Sequence, residues 1–384
     1  MKANIMNIKK NVWALAAALL FTTAFTNCSD WTEVEAENKV DYGNTEPARP
    51  ESYYQALREW KKSDHSVSFG WFSSWNEPAT STTGMLMGIP DSMDIVSLWG
   101  GWSNLSPGRI EDLRMVREKK GTKVVICIRA GGIGASCTPP EHNADAASRE
   151  AFWEWPREAS NMTPDKLTPE MEAQVRASLA KYARAIRDTI YKYDYDGFDF
   201  DLEPPAVLAT YAEPFIEEMS KLIGPQSNSD KMFIIDGYFT DSYFRPELCT
   251  SFNYLVTQSY AVSGGTPQPD ASNSMGNMDS RLNRTIERFD DYLSEEEITN
   301  RFIVTENLES AIDCLNGGFY WRTRDYVRLD KKVCPSLLGM ALWEPLNGYR
   351  KGGFGGYRFD GESANKPSYK WMRRAIQSQN PAVN

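Results

Sequence analysis

Three carboxylates stand at alternate positions of an otherwise apolar run, residues 196–203 (DGFDFDLE), which constrains the fold more than any other part of the sequence. Because a β-strand turns alternate side chains to the same side, Asp199, Asp201 and Glu203 share one face. The opposite face is wholly apolar: Phe198, Phe200 and Leu202. This pattern is typical of a parallel barrel, whose outside is covered by helices while its inside carries polar groups. The alternative is the solvated face of an edge hairpin.

The spacing of these acids favours proton chemistry. Residues on the same face of a strand are roughly 7 Å apart, and ionised carboxylates at that distance repel one another in a partly dry site. At least one of the three is therefore expected to keep its proton near neutral pH. A proton held in this way can be donated.

The run resembles the DxxDxDxE signature of glycoside hydrolase family 18, which includes chitinases and endo-β-N-acetylglucosaminidases. The four acids are Asp196, Asp199, Asp201 and Glu203. The resemblance implies hydrolysis of the β-1,4 bond that follows an N-acetylglucosamine, with retention and with the substrate's acetamido oxygen as nucleophile. It also implies that Glu203 is the general acid and later the base, that Asp201 holds the acetamide, and that Asp199 tunes Asp201. Asp196 is placed among the substrate-binding residues.

Short β-branched or aromatic runs recur along the 384 residues, separated by amphipathic stretches, which is the pattern of βα units around a parallel sheet. The predicted strands are residues 67–72, 94–99, 123–129, 197–203, 232–238, 254–260, 302–306 and 337–343. Helical periodicity is clearest at 170–193, directly before the acidic strand. We therefore predict an α/β fold, a (β/α)8 TIM barrel forming a single catalytic domain over residues 51–384, with its chemistry at the carboxyl ends of the strands.

The end of the sixth predicted strand separates two branches of the resembled family. Chitinases usually carry Met-x-Tyr-Asp there, whereas endo-β-N-acetylglucosaminidases acting on N-glycans tend to carry Gln-x-Tyr without the Asp. This chain has Gln258 and Tyr260, followed by Ala261. On the resemblance, the Tyr260 hydroxyl holds the acetamide carbonyl beneath the anomeric carbon, an alignment that replaces an external nucleophile. The alternative is a strand-end tyrosine that only caps the core.

Other strand ends supply further candidates for the substrate site. The resemblance places Trp343 as the floor of the −1 subsite, although a lone tryptophan of this kind otherwise belongs to the core. Glu306 and Asn307 end the seventh predicted strand and are expected to bind sugar hydroxyls. Residues 128–132 (IRAGG) are similar to the family's SxGG element, or form a simple turn.

Three long connections, residues 131–165, 261–279 and 344–369, are expected to lie over the catalytic face. The first carries Trp153 and Trp155, which are candidates for contact with sugar rings. Long loops around a binding site suit a branched glycan better than a linear chitin chain. The alternative is that the connections only pack on one another.

Composition excludes several classes of function. The net charge of −10 argues against nucleic acid as a partner, because its phosphate backbone calls for a basic surface. Only two histidines are present, so a multi-histidine metal site is excluded, and we expect neither a metal nor a cofactor. Five cysteines follow residue 28, an odd number whose pairing the sequence leaves open: Cys127, Cys137, Cys249, Cys314 and Cys334.

The amino terminus predicts export. Two lysines precede an apolar stretch at 12–25 that is too short to span a bilayer permanently, so residues 1–27 are expected to be a signal peptide. Cys28 follows directly, and the segment resembles a bacterial lipoprotein box in which this cysteine is lipidated. The alternative is simple cleavage and secretion. Residues 28–50 are acidic, which favours a tether similar to the surface-export signals of Bacteroides-type lipoproteins. We expect a surface-exposed outer-membrane lipoprotein, bound to the membrane by its lipid only.

Together these observations favour an endo-β-N-acetylglucosaminidase that cuts the GlcNAc-β1,4-GlcNAc core of N-linked glycans. Its expected partners are N-glycosylated glycoproteins or glycans as substrates, and glycan-uptake proteins of the same surface. A chitinase or chitooligosaccharide hydrolase is the nearest alternative. A glycan-binding surface protein without turnover is the other, and the intact acidic motif counts against it.

Overall fold

The computed structural model describes residues 49–78, 82–261, 272–322 and 334–381. The barrel strands are β1 (Val67–Phe72), β2 (Ile95–Leu98), β3 (Lys123–Arg129), β4 (Gly197–Leu202), β5 (Met232–Gly237), β6 (Tyr254–Gln258), β8 (Phe302–Asn307) and β11 (Gly353–Tyr357). These eight parallel strands close into a barrel in the order β1-β11-β8-β6-β5-β4-β3-β2, so the predicted (β/α)8 architecture is confirmed. The strands β7 (Ser272–Ser274), β9 (Tyr320–Arg322) and β10 (Cys334–Pro335) form a small separate sheet. The expected signal peptide, tether and Cys28 lie outside the described residues.

Helices connect the strands and cover the barrel. They are α1 (Glu51–Lys61), α2 (Pro107–Met115), α3 (Ala146–Trp153), α4 (Pro169–Tyr193), α5 (Val207–Thr210), α6 (Ala212–Ser220), α7 (Met275–Phe289), α8 (Glu295–Arg301), α9 (Ala311–Asn316), α10 (Ser336–Leu342) and α11 (Lys370–Gln379). Within the described ranges, no helix combines the length and the apolar character that crossing a bilayer would require.

Helix α4 directly precedes the acidic strand β4 in the chain. Thr168 caps its amino terminus by accepting a hydrogen bond from the backbone N–H of Met171, and Pro169 occupies the first helical position, where no donor is lost. The helix ends at Tyr193 and is capped by Asp194, which adopts a left-handed conformation with φ of 56°. Its apolar face, which includes Leu179 and Ile186, is fully buried against the barrel. The helical periodicity at 170–193 thus corresponds to a real helix.

Strand β4 has the two faces that its sequence predicts. The apolar face points outward, where the ring of Phe200 lies 5.0 Å from that of Phe215 in α6. Asp199 and Asp201 are on the other face and are almost completely buried. A Cβ atom at Gly197 would lie 2.3 Å from the carbonyl oxygen of Met232, so this residue must be glycine for β5 to approach so closely.

The predicted eighth strand is wrong. Residues 337–342 lie in helix α10, and the last barrel strand is β11, which pairs with β1 and β8. A Cβ atom at Gly353 would lie 2.0 Å from the carbonyl oxygen of Val67. Glycine is therefore required for β11 to approach β1. Residues 344–369 contain this strand, so they are not the long catalytic-face connection that we expected.

Candidate active site

A cavity of about 840 Å³ opens at the carboxyl ends of the barrel strands. It is lined by Asp201 and Glu203 at the end of β4, by Gln258 and Tyr260 at the end of β6, and by Asn307 at the end of β8. Because parallel strands all end on the same side of a barrel, residues far apart in the sequence converge there. Five of the residues singled out in the sequence are brought together in this way.

Aromatic side chains form one wall of the cavity: Trp71, Trp99, Tyr260 and Tyr357. The ring of Tyr357 lies at the centre of the group, 5.7 Å from Trp99 and 6.1 Å from both Trp71 and Tyr260. Aromatic walls combined with a few polar groups are typical of pockets that bind small molecules.

Asp199 lies beneath the cavity and is held by two donors. Its Oδ2 accepts a hydrogen bond from Ser97 Oγ at 2.6 Å and another from Trp71 Nε1 at 3.0 Å. Both donors favour the ionised carboxylate, which offsets part of the cost of burying it. Trp71 therefore connects the aromatic wall to the acidic strand.

A third buried carboxyl group, Asp236 of β5, lies beside the two acids of β4. Gln258 Nε2 donates to Asp236 Oδ1 at 2.8 Å and to Asp201 Oδ1 at 3.3 Å. In the pairing of β4 with β5, Asp236 stands directly opposite Asp201. The amide of Gln258 thus bridges the two carboxyl groups and fixes their orientation.

Burial raises the pKa of all three carboxyl groups, because a charged form is disfavoured away from water. Repulsion from Glu203 and Asp199 raises the pKa of Asp201 further. Interaction with Asp236 lowers the pKa of Asp199 and of Asp201, and interaction with Asp199 raises the pKa of Asp236. We infer that the cluster holds at least one proton at neutral pH and that Asp236 donates it toward Asp199.

Glu203 lies at the surface of the cavity, with its side chain 27% exposed. The Nε atom of Arg129, at the end of β3, is 2.8 Å from Glu203 Oε2. Arg129 belongs to the SxGG-like segment and is itself more than half exposed, so solvent weakens the attraction within this pair. Arg129 therefore orients Glu203, and the carboxyl group remains accessible to an oxygen of the substrate.

Among the described residues, one buried group has side chains of the metal-binding type: Cys127, Asp199 and Asp236, whose ligand atoms lie within 4.8 Å of one another. The carboxyl groups already bind protein donors, as described above, and burial raises the pKa of the Cys127 thiol well above its usual range. A thiol must lose its proton to bind a metal, so these residues suit proton sharing better than metal binding.

A match to a sequence profile identifies the family of this chain. The profile described as glycoside hydrolase family 18, BT1044-like, matches residues 32–378. This chain belongs to that family. Endo-beta-N-acetylglucosaminidase F2 of Elizabethkingia meningoseptica is 22% identical over 349 residues, which cover 85% of each chain.

Solved structures show the same fold. A selenomethionine form of a Glu-to-Gln variant of BT1044 matches with a TM-score of 0.67 at 25% identity, over 91% of this chain and 97% of that chain. An endo-beta-N-acetylglucosaminidase from Cordyceps militaris has a TM-score of 0.53 at 20% identity, over 87% and 97% of the two chains. A chitinase from Bacteroides thetaiotaomicron also reaches 0.53, at 13% identity, over 82% and 97%. This family 18 chain is thus a glycoside hydrolase.

Several residues assigned to the substrate site lie elsewhere in this family 18 barrel. Asp196 precedes β4, at the opposite end of the barrel from the cavity, where it is buried and accepts hydrogen bonds from Arg117 and from the backbone of Val124. Trp343 is buried against Phe302, at the start of β8, and donates to Asp279. Both residues support the structure of the barrel and do not line the cavity.

The remaining aromatic and acidic candidates are also buried away from the cavity. Trp153 and Trp155 donate to Thr138 and Ser160 within their own segment and are 2% and 4% exposed, too little for contact with a sugar. Glu306 is fully buried and accepts hydrogen bonds from protein groups, including Asn273. Its neighbour Asn307 does line the cavity.

Site residues that the sequence did not single out include Trp71, Trp99 and Tyr357, which line the cavity, and Asp236, which lies beside Asp201 in the buried acidic cluster. Asp236 had a signal, because it is an acid inside the apolar run MFIIDG of β5. The sequence indicated a site role for Trp71 and Tyr357 only weakly, because an aromatic residue near a strand end is more often part of the core. Of the connection 261–279, residues 262–271 lie outside the described ranges, and Ser272, Asn273 and Asn277 line the cavity.

Proposed function

We propose that this family 18 member is an endo-β-N-acetylglucosaminidase that hydrolyses the GlcNAc-β1,4-GlcNAc bond in the core of N-linked glycans. The observation that carries the proposal is the placement of Gln258 and Tyr260 beside Asp201, with Ala261 where chitinases of the family usually carry aspartate. The relatives from Elizabethkingia and Cordyceps are named endo-beta-N-acetylglucosaminidases.

In the first step, the acetamido oxygen of the substrate attacks the anomeric carbon while Glu203 gives its proton to the departing glycosidic oxygen. The bond from the anomeric carbon to that oxygen breaks, and an oxazolinium ion that keeps the acetamide N–H forms within the sugar. Asp201 accepts a hydrogen bond from the acetamide N–H, and the Tyr260 hydroxyl holds the acetamide oxygen in line. Asp199 and Asp236 adjust the charge of Asp201 by sharing a proton.

In the second step, a water molecule attacks the anomeric carbon and Glu203 takes a proton from it. The bond to the acetamido oxygen breaks and the acetamide is restored. Two successive inversions give net retention, as in other retaining glycosidases, but the nucleophile belongs to the substrate. A single carboxyl group, Glu203, thus serves as acid and then as base.

The proposal is tested by intact-mass analysis of glycoproteins that carry defined high-mannose, hybrid or complex N-glycans. We expect residues 29–384 to remove the glycan and leave one N-acetylglucosamine on asparagine. Glu203→Gln keeps the shape of the side chain but has no acidic proton, so its turnover should fall by roughly 100- to 10,000-fold. Arg187→Gln, on the outer face of α4, is the control for unrelated substitution.

A variant Glu203→Gln with near-normal turnover would show that the acid is assigned wrongly. Cleavage of chitooligosaccharides but of no N-glycan would replace the proposal with the chitinase alternative. Binding of glycans without cleavage of either substrate class would favour a glycan-binding protein.

We also propose that the chain is a surface-exposed outer-membrane lipoprotein, lipidated at Cys28, whose released glycans pass to uptake proteins of the same surface. The support is the apolar stretch at 12–25, the cysteine directly after it and the acidic tether that follows. Metabolic labelling with an alkyne-bearing fatty acid should mark the wild-type protein. Labelling that persists in Cys28→Ala would contradict the assignment.

A further inference from the structure

Two arginines of helix α7, Arg281 and Arg284, line the cavity that contains Asp201 and Glu203. Asn277 lies on the same side of the helix, since positions i, i+4 and i+7 of an α-helix share a face. All three are cavity residues. Helix α7 thus presents a cationic face to the active site of a chain whose net charge is −10.

Neither arginine has an ion pair or hydrogen bond with another side chain in the part of the chain that the structure describes. The other arginine of the cavity, Arg129, is paired with Glu203. Arg288, one turn farther along α7, donates to the carbonyl oxygen of Phe244. Arg281 and Arg284 therefore differ from both, because their donors are available to a ligand.

The environment of Arg281 makes an anion the favoured ligand. Burial of this side chain, and then the positive charge of Arg284, lower the pKa of Arg281, while Glu306 and Tyr238 act in the opposite direction. Asp241 and Glu309 also line the cavity but form no ion pair with either arginine. Arg281 is partly buried and Arg284 is exposed, and an anion bound between two neighbouring guanidinium groups reduces their mutual repulsion.

We propose that Arg281 and Arg284 form a subsite for an acidic substituent of the glycan, such as the carboxylate of a terminal sialic acid or a sulfate or phosphate ester. A guanidinium group offers two parallel N–H donors, which match the oxygens of each of these groups. The identification of the anion as part of the substrate rests on the proposed function. The presence of an anion-binding pair does not.

The test compares kcat/KM for matched glycopeptides that differ only in their terminal groups: sialylated, enzymatically desialylated, sulfated and phosphorylated. We expect the wild-type enzyme to prefer at least one acidic form over the neutral one by roughly tenfold or more, the scale of a hydrogen bond to a charged group. In the double variant Arg281→Gln/Arg284→Gln this ratio should fall to near one, whereas the control Arg187→Gln should keep it. The acidic substrate whose kcat/KM falls most in the double variant identifies the source of the anion.

Equal kcat/KM for acidic and neutral substrates in the wild type, or an unchanged ratio in the double variant, would overturn the proposal. Calorimetric binding of the free oligosaccharides to Glu203→Gln separates this outcome from failure of the proposed function. Tighter binding of an acidic oligosaccharide that requires both arginines would support the subsite even if no N-glycan were cleaved. Binding without any such preference would refute it.

Discussion

At the scale of single residues, the site is organised around a shared proton. Asp199, Asp201 and Asp236 are each no more than 1% exposed, and three ionised carboxylates buried together would repel one another strongly. Asp199 is favoured as the ionised partner, because Ser97 and Trp71 both donate to it. The proton is therefore held on Asp236, which donates it toward Asp199.

The replacement Asp201→Asn tests this account directly. An asparagine cannot carry the negative charge that offsets the charge developing on the acetamide nitrogen, so hydrolysis of glycopeptides should fall by about 100-fold or more. A preformed sugar oxazoline already contains the bond made in the first step, so the variant should still turn it over. Parallel assays with both donors measure the difference, and equal losses with the two donors would contradict substrate assistance.

Asp236 calls for a pair of variants. Asparagine at this position still accepts the hydrogen bond of Gln258 and can donate to Asp199, as the protonated acid does. We therefore expect Asp236→Asn to keep kcat/KM within about tenfold of wild type, whereas Asp236→Ala, which leaves a buried donor unpaired, should lose substantially more. Equal losses of kcat/KM in the two variants would show that catalysis does not depend on the proton of Asp236.

At the scale of elements, the sequence predicted seven barrel strands and misplaced the eighth. The run 337–343 is apolar and has the length of a strand, but short apolar runs do not distinguish a strand from a buried helix. The true strand β11 reads GFGGY, which has weak strand propensity because glycine has no side chain to pack. Contacts with β1 explain Gly353 and Gly355, and a contact with Leu308 explains Gly356. These contacts are visible only in three dimensions.

The same limit applies to the site. Asp201, Glu203, Gln258 and Tyr260 could be placed at the cavity because each belongs to a motif at a strand end. Trp343 could not, since its assignment depended on a strand that does not exist. The buried position of the tryptophans in 131–165 depends on tertiary packing, which the sequence pattern of a connection does not reveal.

Gly355 of β11 provides a test at this scale. A Cβ atom there would lie 2.4 Å from the carbonyl oxygen of Phe69, so Gly355→Ala should force β11 away from β1 and lower the free energy of unfolding by about 1–3 kcal/mol. Gly276 of α7 is the matched control, because its nearest contact would be Ser274 Oγ at 3.9 Å. Urea denaturation of the two alanine variants measures the difference, and equal stabilities would contradict the close approach of the strands.

At the scale of the whole molecule, barrel closure joins the two ends of the described domain. Strand β11 pairs with β1, and the chain then turns through residues 359–364 into the last helix, α11. Glu362 connects this turn to the helix, since its Oε2 accepts hydrogen bonds from the backbone N–H groups of Trp371, at 2.8 Å, and Met372, at 3.4 Å. A fully buried carboxyl group thus lies at the point where the fold closes.

Burial raises the pKa of Glu362 to about 8, although the backbone donors of α11 act in the opposite direction. Because the unfolded chain has a pKa near 4.3, the folded state binds this proton more tightly. The stability contributed by Glu362 is therefore complete below about pH 4 and is lost as the pH rises toward 8, by at most about 1.4 kcal/mol per pH unit.

Glu362→Gln cannot ionise, so its free energy of unfolding should rise relative to wild type between pH 5 and pH 8. Urea denaturation at several pH values measures this change, with the exposed Glu287→Gln as control, and a difference independent of pH would show that Glu362 is already ionised in the folded protein.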